Sequence, residues 1–414
     1  MKKYILTPLL FFLFTVSHSF AAEKPLAVYL TWQSHPESTM TVHWISSADC
    51  PIDDIFYHDS EMQMWDVEQA SHKTLPEGRD DLLIHKAELQ NLSPDTVYYF
   101  RVAEDETVYK FRTMPAQMTR PVRFIAGGDM YHDSVEILDK MNRTAASFDP
   151  MFALAGGDLA YAADKFGEKP EDFERWLTFL RSWQNNMITT DGRMVPIIPV
   201  ASNEDTKGRY NQPPSQAPFF YALFAMPGKQ GYNVLDFGSY LSIFLLDSGH
   251  THPVYGDQTS WLNKTLKERK HRLHKIALYH VPAFPSVRDP EKPVSKMIRK
   301  YWVPLFEKYN LAVAFENHDH AYKRSRLIRD GKVDSSGVLY MGDGGYGVTE
   351  PRKPVDPAER WYLAETAQKT NFVVGTLFPT GERHFQAADQ DGNIFDEFIH
   401  RFSAALPLHS SHLK

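Results

Sequence analysis

The segment FENHDHAY, residues 315–322, places His318 and His320 one residue apart. Just before them runs LAVAF, an apolar stretch that reads as a buried strand. Two imidazoles at such a place are either polar punctuation or ligands. Four other apolar stretches end in a comparable way. VRFIAGG runs into Asp129, and MFALAGG into Asp158 with Tyr161 three residues on. VPIIPVAS is followed by Asn203, Glu204 and Asp205, and KIALY by His280. One Gly-Asp pair after a strand is commonly a turn. Five endings in the same register bring carboxylate, amide, phenol and imidazole to one edge. Burying so many polar groups together is costly unless something satisfies them, and a metal cluster would do so. Cys50 is the sole cysteine, so thiolate sites are excluded and the donors are oxygen and nitrogen. That set suits iron, zinc or manganese.

These residues need elements to position them. From about 24 to 118 the chain reads as β. MTVHWI alternates Met40, Val42 and Trp44 on one face, the period of a half-buried strand. TVYYFRV and TVYKFRT form two more strands around the polar turn AEDE. Ahead of Tyr98 lies a leucine and a Pro-Asp turn, a pattern that resembles the tyrosine corner of fibronectin-type sandwiches. Trp32 and Trp44 are expected in the core of such a β-sandwich. After a linker, PAQMTRP, seven apolar strands alternate with helical runs such as EDFERWLTFLRSW and SKMIRKYWVPLFEKY. Alternation of this kind predicts an α/β domain, and ligands of such folds bind beyond the carboxyl ends of the strands.

Taken in order, GD, GDLAY, SNED, YHVP and NHDHAY resemble the five motif blocks of calcineurin-like metallophosphoesterases. The tyrosine of GDLAY and the β domain ahead are similar to the purple acid phosphatase branch. The resemblance runs from about residue 24 to the GNIFDEF segment. It implies a fibronectin type III-like β-sandwich over 24–118, then an α/β metallophosphoesterase domain over 120–404 with two mixed sheets flanked by helices. It also implies two metal ions. The first would take Asp129, Asp158, Tyr161 and His320. The second would take Asp158, Asn203, His280 and His318, with Asp158 bridging. A Tyr161 phenolate suits Fe(III), and the second ion is expected to be divalent iron, zinc or manganese. Such a pair, about 3.5–4 Å apart, holds the oxygens of a phosphate ester and lowers the pKa of a bound water to about 7. The reaction implied is hydrolysis of a small phosphate monoester by metal-bound hydroxide without a covalent intermediate. The chain has no Gly-x-Ser-x-Gly nucleophile motif, in keeping with that.

Two blocks depart from the pattern. Where the branch has Gly-Asn-His-Glu or Gly-Asn-His-Asp, this chain has Ser202, Asn203, Glu204 and Asp205. Where it has Asp-x-Gly, this chain has Asp129, Met130 and Tyr131. The ligand residues are kept and the substrate-facing residues are changed. Glu204 is a candidate general acid if burial raises its pKa. Tyr131 would crowd the metal edge or donate to substrate, and His132 is a candidate replacement for the absent imidazole. Three readings follow: a monoesterase, a diesterase on the same scaffold, or a metal-retaining binding protein without turnover. Intact ligands favour catalysis.

The bulk numbers agree with an enzyme of ordinary build. The 414 residues are 43% hydrophobic and 23% charged, with net charge −7. No basic stripe announces nucleic-acid binding. Residues 1–21 combine a lysine pair, a short apolar run and small residues, the layout of a secretory signal peptide. Export to a periplasm or beyond the cell is therefore expected. No later stretch is long and apolar enough to span a bilayer. Cys50 is expected to be a quiet structural thiol.

Overall fold

The computed structural model describes residues 24–49, 51–59 and 64–401. The expected signal peptide and Cys50 lie outside the described residues, as do 402–404. Eight strands open the chain: β1 (Ala27–Thr31), β2 (Met40–Ser47), β3 (Asp54–Asp59), β4 (Asp66–Gln69), β5 (Ser71–Thr74), β6 (Leu82–Leu89), β7 (Val97–Val102) and β8 (Tyr109–Arg112). They form two antiparallel four-stranded sheets, ordered β1-β2-β6-β5 and β4-β3-β7-β8. The Ser93 N–H donates to the Tyr98 hydroxyl at 2.8 Å, the contact a tyrosine corner makes.

The half-buried alternation expected of β2 is corrected by its burial: Met40 through Ile45 are all buried. The reason is a second neighbour. Val28, Leu30, Met40, Val42 and Trp44 pack into the sandwich core. Tyr29, Ile45 and Ile84 face the other way, into a cluster shared with the following α/β unit. The sheet is therefore covered on both faces.

That unit begins with β9 (Val122–Gly127), α1 (Val135–Ala146), β10 (Phe152–Ala155), α2 (Phe173–Asn186) and β11 (Ile197–Pro199). The short α3 (Pro218–Leu223) precedes β12 (Asn233–Phe237), β13 (Leu241–Leu245), α4 (Asp257–Glu268) and β14 (His274–Leu278). Next come α5 (Pro293–Tyr301), α6 (Val303–Lys308), β15 (Val313–Glu316) and β16 (Tyr322–Ser325). A small hairpin, β17 (Ile328–Arg329) and β18 (Lys332–Val333), leads to β19 (Leu339–Gly342) and β20 (Leu363–Ala367). The last strands are β21 (Asn371–Leu377), β22 (Arg383–Asp389) and β23 (Ile394–His400).

Two mixed sheets result, ordered β11-β10-β9-β21-β22-β23 and β12-β13-β14-β15-β19-β16-β20. Phe124, Phe152, Ile243, Ile276 and Phe315 pack between them. Helices α1 and α2 cover one outer face, while α4, α5 and α6 cover the other. The segment read as one helix, SKMIRKYWVPLFEKY, is two. Pro304 has no N–H to donate and its ring would clash with the preceding turn, so α5 ends and α6 restarts around Trp302. Among the described residues no helix is long and apolar enough to cross a membrane. Strands β9, β10 and β11 run parallel, as do β13, β14, β15 and β19. Their carboxyl ends open on a common edge.

Candidate metal centre

Loops at that edge hold the seven residues singled out as ligands. Five of them adopt left-handed backbone: Asp129 (φ 58°), Asp158 (50°), Tyr161 (52°), His318 (79°) and His320 (59°). Such conformations are costly for residues with a Cβ and persist only where their surroundings enforce them. Here the surroundings are specific. The N–H groups of Asp129, Met130 and Tyr131 donate to the carbonyls of Gly157, Asp158 and Leu159 at 2.8–3.0 Å, zipping two loops together. Asp205 accepts from the N–H groups of Asp158 (2.9 Å) and Leu159 (3.0 Å). Asp129 Oδ2 accepts from His318 N–H at 2.9 Å. Gly344 makes room for that contact, since a Cβ there would fall 1.9 Å from Asp129 Oδ2.

The donors gather into two groups that share Asp158. Asp129, Asp158 and His320 bring their donor atoms within 4.8 Å of one another, and so do Asp158, His280 and His318. His320 Nε2 lies 2.9 Å from Asp129 Oδ1, and the Tyr161 hydroxyl lies 3.0 Å from the same oxygen. In the second group, His280 Nε2 faces His318 Nδ1 (2.9 Å), Asn203 Oδ1 (3.1 Å) and Asp158 Oδ2 (3.3 Å). The other nitrogen of His280, Nδ1, is 2.9 Å from the Gly156 carbonyl, which can only accept. A neutral His280 must therefore carry its proton on Nδ1 and turn a bare lone pair toward oxygen acceptors. Only a proton or a cation can sit among those atoms. Burial opposes protonation of His280, but the Asp158 carboxylate outweighs it and raises its pKa to about 9. A metal ion would satisfy the same atoms, so the donor set fits one.

His318 and His320 do not share a face of an extended segment: β15 ends at Glu316 and both histidines sit in a bent loop. Neither neighbouring carboxylate serves the imidazoles. Asp319 accepts from the N–H groups of Val287 and Arg288 at 2.6 and 3.1 Å. Glu316 accepts from the Tyr279 hydroxyl and the Ala283 N–H. His318 Nε2 instead meets the Tyr210 hydroxyl at 3.5 Å, and His280 leans on the Gly156 carbonyl. Tyr210 gave no signal in the sequence, because it reaches the site from a loop with no periodic pattern.

The substrate-facing candidates divide. Glu204 Oε1 accepts from Asn203 Nδ2 (2.9 Å) and from Arg209 (2.7 Å). The first bond turns Asn203 Oδ1 toward His280. Burial, reinforced by the Asp158 charge, raises the Glu204 pKa. His132 stacks edge-on against both Tyr161 and His320, with ring centroids 5.0 and 4.6 Å away. The Tyr131 ring lies under the Arg175 guanidinium at 4.1 Å and packs beside the cluster that covers α2. Two arginines were not anticipated. Arg288 pairs with Asp319 at 3.0 Å, and Arg352 is close enough to Arg288, Asp129 and Tyr161 to be influenced by their charges. Burial and the Arg288 charge lower the Arg352 pKa. Beside His318 opens a cavity of about 330 Å³, lined in part by Tyr210, Val254, Tyr255, Val281, Met297 and Arg288.

Known proteins resemble this chain in sequence and in fold. A family model described as the purple acid phosphatase N-terminal domain matches residues 25–113. Purple acid phosphatase 18 of Arabidopsis thaliana is 27% identical over 299 residues, covering 69% of this chain and 63% of the relative. Purple acid phosphatase 21 of the same plant is 26% identical, covering 63% of this chain and 58% of the relative. These matches thus span about three-fifths of the relatives' length. The Glycine max purple acid phosphatase is 23% identical, with 78% and 73% covered. Purple acid phosphatase PPD1 from yellow lupin seeds superimposes with a TM-score of 0.72 at 17% identity, over 90% of this chain and 73% of that one. PhoD does so with 0.65 at 13%, over 90% and 92%. The N-terminal domain thus matches that of purple acid phosphatases, and the chain as a whole is similar to purple acid phosphatases in sequence and in fold.

Proposed function

We propose that the chain is an exported, dinuclear-metal phosphoesterase that hydrolyses phosphate monoesters. The observation that carries this reading is the pair of donor groups sharing Asp158, with Nε2 of His280 turned into one of them. Asp129, Tyr161 and His320 would hold one ion and Asn203, His280 and His318 the other, with Asp158 common to both. When bound, such a pair supplies Lewis acidity toward phosphoryl oxygens and activates water. Tyr161 is held as a phenol by burial and by the charges of Asp129 and Asp158, which favours a highly charged cation, Fe(III), as the partner that draws off its proton. The second ion is divalent iron, zinc or manganese.

The chain's own side chains then bind and orient the ester. Arg288 and Arg352 would supply positive charge and hydrogen-bond donors to phosphate oxygens, and His132, packed on Tyr161 and His320, would add an imidazole beside them. The neighbouring cavity accepts the leaving alcohol. Glu204 would repel a dianionic monoester if it stood alone, but its ion pair with Arg209 offsets that charge. The monoester is therefore preferred to the diester as substrate.

The test is hydrolysis of a nitrophenyl phosphate monoester and its bis-ester by iron- and zinc-loaded protein. Asp158→Asn should lose at least about 100-fold in turnover, because the shared carboxylate is gone. A higher rate on the bis-ester would assign a diesterase instead. No turnover on either ester, with two metal ions counted per chain, would leave the metal-binding reading.

A further inference from the structure

A second convergence of ligand-type side chains lies in the N-terminal sandwich, away from the centre just described. Asp53, His72 and His85 bring one donor atom each within 4.8 Å of the others. His72 and His85 stand directly opposite each other on β5 and β6. Asp53 comes from the other sheet, one residue before β3. Both Nδ1 atoms point at its carboxylate, His85 at 2.7 Å and His72 at 2.8 Å. We infer that Asp53, His72 and His85 form a binding site for a single divalent zinc-type cation that ties the two sheets of the sandwich together.

The chemistry of the donors supports this. Two imidazoles and one carboxylate, with water in the fourth position, are a common zinc ligand set. Zinc bonds of about 2.0–2.1 Å in a tetrahedral arrangement separate ligands by about 3.3 Å, so each ring need withdraw only about half an ångström. His72 has that freedom, with 37% of its side chain exposed, whereas His85 is fully buried. The buried ring is held ready. It stacks on Trp44, with centroids 4.7 Å apart and planes 3° from parallel. Its Nε2 lies 2.8 Å from the Ser46 hydroxyl, which can accept a hydrogen bond from Nε2–H in the tautomer that leaves Nδ1 free to bind an ion. Exposure of His72 and Asp53 gives the ion a way in. Because the ligands come from both sheets, bound ion stabilises the folded sandwich by mass action.

The test uses the full chain already loaded at its dinuclear centre, titrated with Zn²⁺ by calorimetry and with Cu²⁺ by tryptophan fluorescence. The expected result is one further equivalent of Zn²⁺. Cu²⁺ should quench saturably, since Trp44 touches the His85 ring. His72→Ala and the near-isosteric Asp53→Asn should each weaken both signals at least tenfold while leaving ester hydrolysis unchanged. His72 is exposed and Asp53→Asn conserves shape, so both variants should fold, which circular dichroism verifies. Isotherms for both variants that overlay the wild type, or no further equivalent in the wild type, would overturn the inference and leave a hydrogen-bonded cluster.

Discussion

At the scale of single residues, Glu204 joins two parts of the centre. Its backbone N–H donates to Asp158 Oδ1 at 2.9 Å, and its side chain fixes the Asn203 amide while pairing with Arg209. If Glu204 also donates a proton to the leaving group, its raised pKa sets the alkaline limb of the pH–rate profile. Glu204→His should then move that limb to higher pH, because an imidazolium ordinarily releases its proton later than a carboxylic acid. Identical profiles for variant and wild type would remove Glu204 from the chemistry. The ligand-type residues could be read from the sequence because each is a polar group at the end of an apolar strand. What could not be read was how they are held. Left-handed φ at Asp129, Asp158, Tyr161 and both loop histidines depends on glycines and carboxylates distant in sequence, such as Gly344 and Asp205. Tyr210, Arg288 and Arg352 were missed for the same reason: loop residues carry no periodic signal.

At the scale of elements, all seven apolar strands anticipated in the α/β unit are present, because strands buried on both faces announce themselves as apolar runs. The strands that close the sheets, β20 to β23, were not anticipated. Exposed and buried residues mix in β20 and β23, and β21 enters the sheet beside β9 only through long-range pairing. Just behind the histidine loop, β15 and β16 are joined by a buried ion pair. Lys323 Nζ contacts Glu316 and lies 3.6 Å from Asp343, with all three side chains fully buried. Burial first, and the neighbouring Asp319 and Glu316 charges after it, raise Asp343 to about 8 against the pull of Lys323. Lys323→Met would leave Glu316 at the end of β15 buried without its cation, a change that typically costs about 3–5 kcal/mol. The exposed pair Lys296–Glu291 provides the control, since Lys296→Met should cost under about 1 kcal/mol. Urea unfolding of the two variants measures both. A loss for Lys323→Met no larger than for Lys296→Met would mean that the buried pair adds nothing net.

At the scale of the whole molecule, the composition change near residue 118 separates two units, yet the seam between them is tight. The Val28 N–H donates to Gln184 at 2.7 Å, the Tyr29 hydroxyl to the Leu223 carbonyl at 2.5 Å, and Arg181 to the Leu26 carbonyl at 2.9 Å. Tyr29, Leu75 and Ile84 share a core with Trp176, Leu223 and Phe224. An apolar, hydrogen-bonded seam opposes relative motion of the two units and lets the sandwich support the α2 face of the α/β unit. Its weak point is Glu171. The Glu171 N–H donates to Glu77 of the sandwich at 2.6 Å, and its Oε2 accepts from Trp176 Nε1 at 2.7 Å. Its other oxygen is buried without a partner. Burial, reinforced by the charges of Glu77 and Asp205, raises its pKa from 4.5 to about 8. The folded chain therefore keeps a proton that the unfolded chain has released between pH 4.5 and pH 8. The stabilisation tied to that proton is complete below pH 4.5 and is lost as pH rises through about 8. Glu171→Gln keeps an acceptor for Trp176 and removes the titration. The variant should match the wild type within about 1 kcal/mol at pH 4 and exceed it by roughly 4 kcal/mol at pH 8. Urea unfolding at pH 4, 6 and 8 measures the difference, and a gap that does not change with pH would show that Glu171 is ionised in the folded seam.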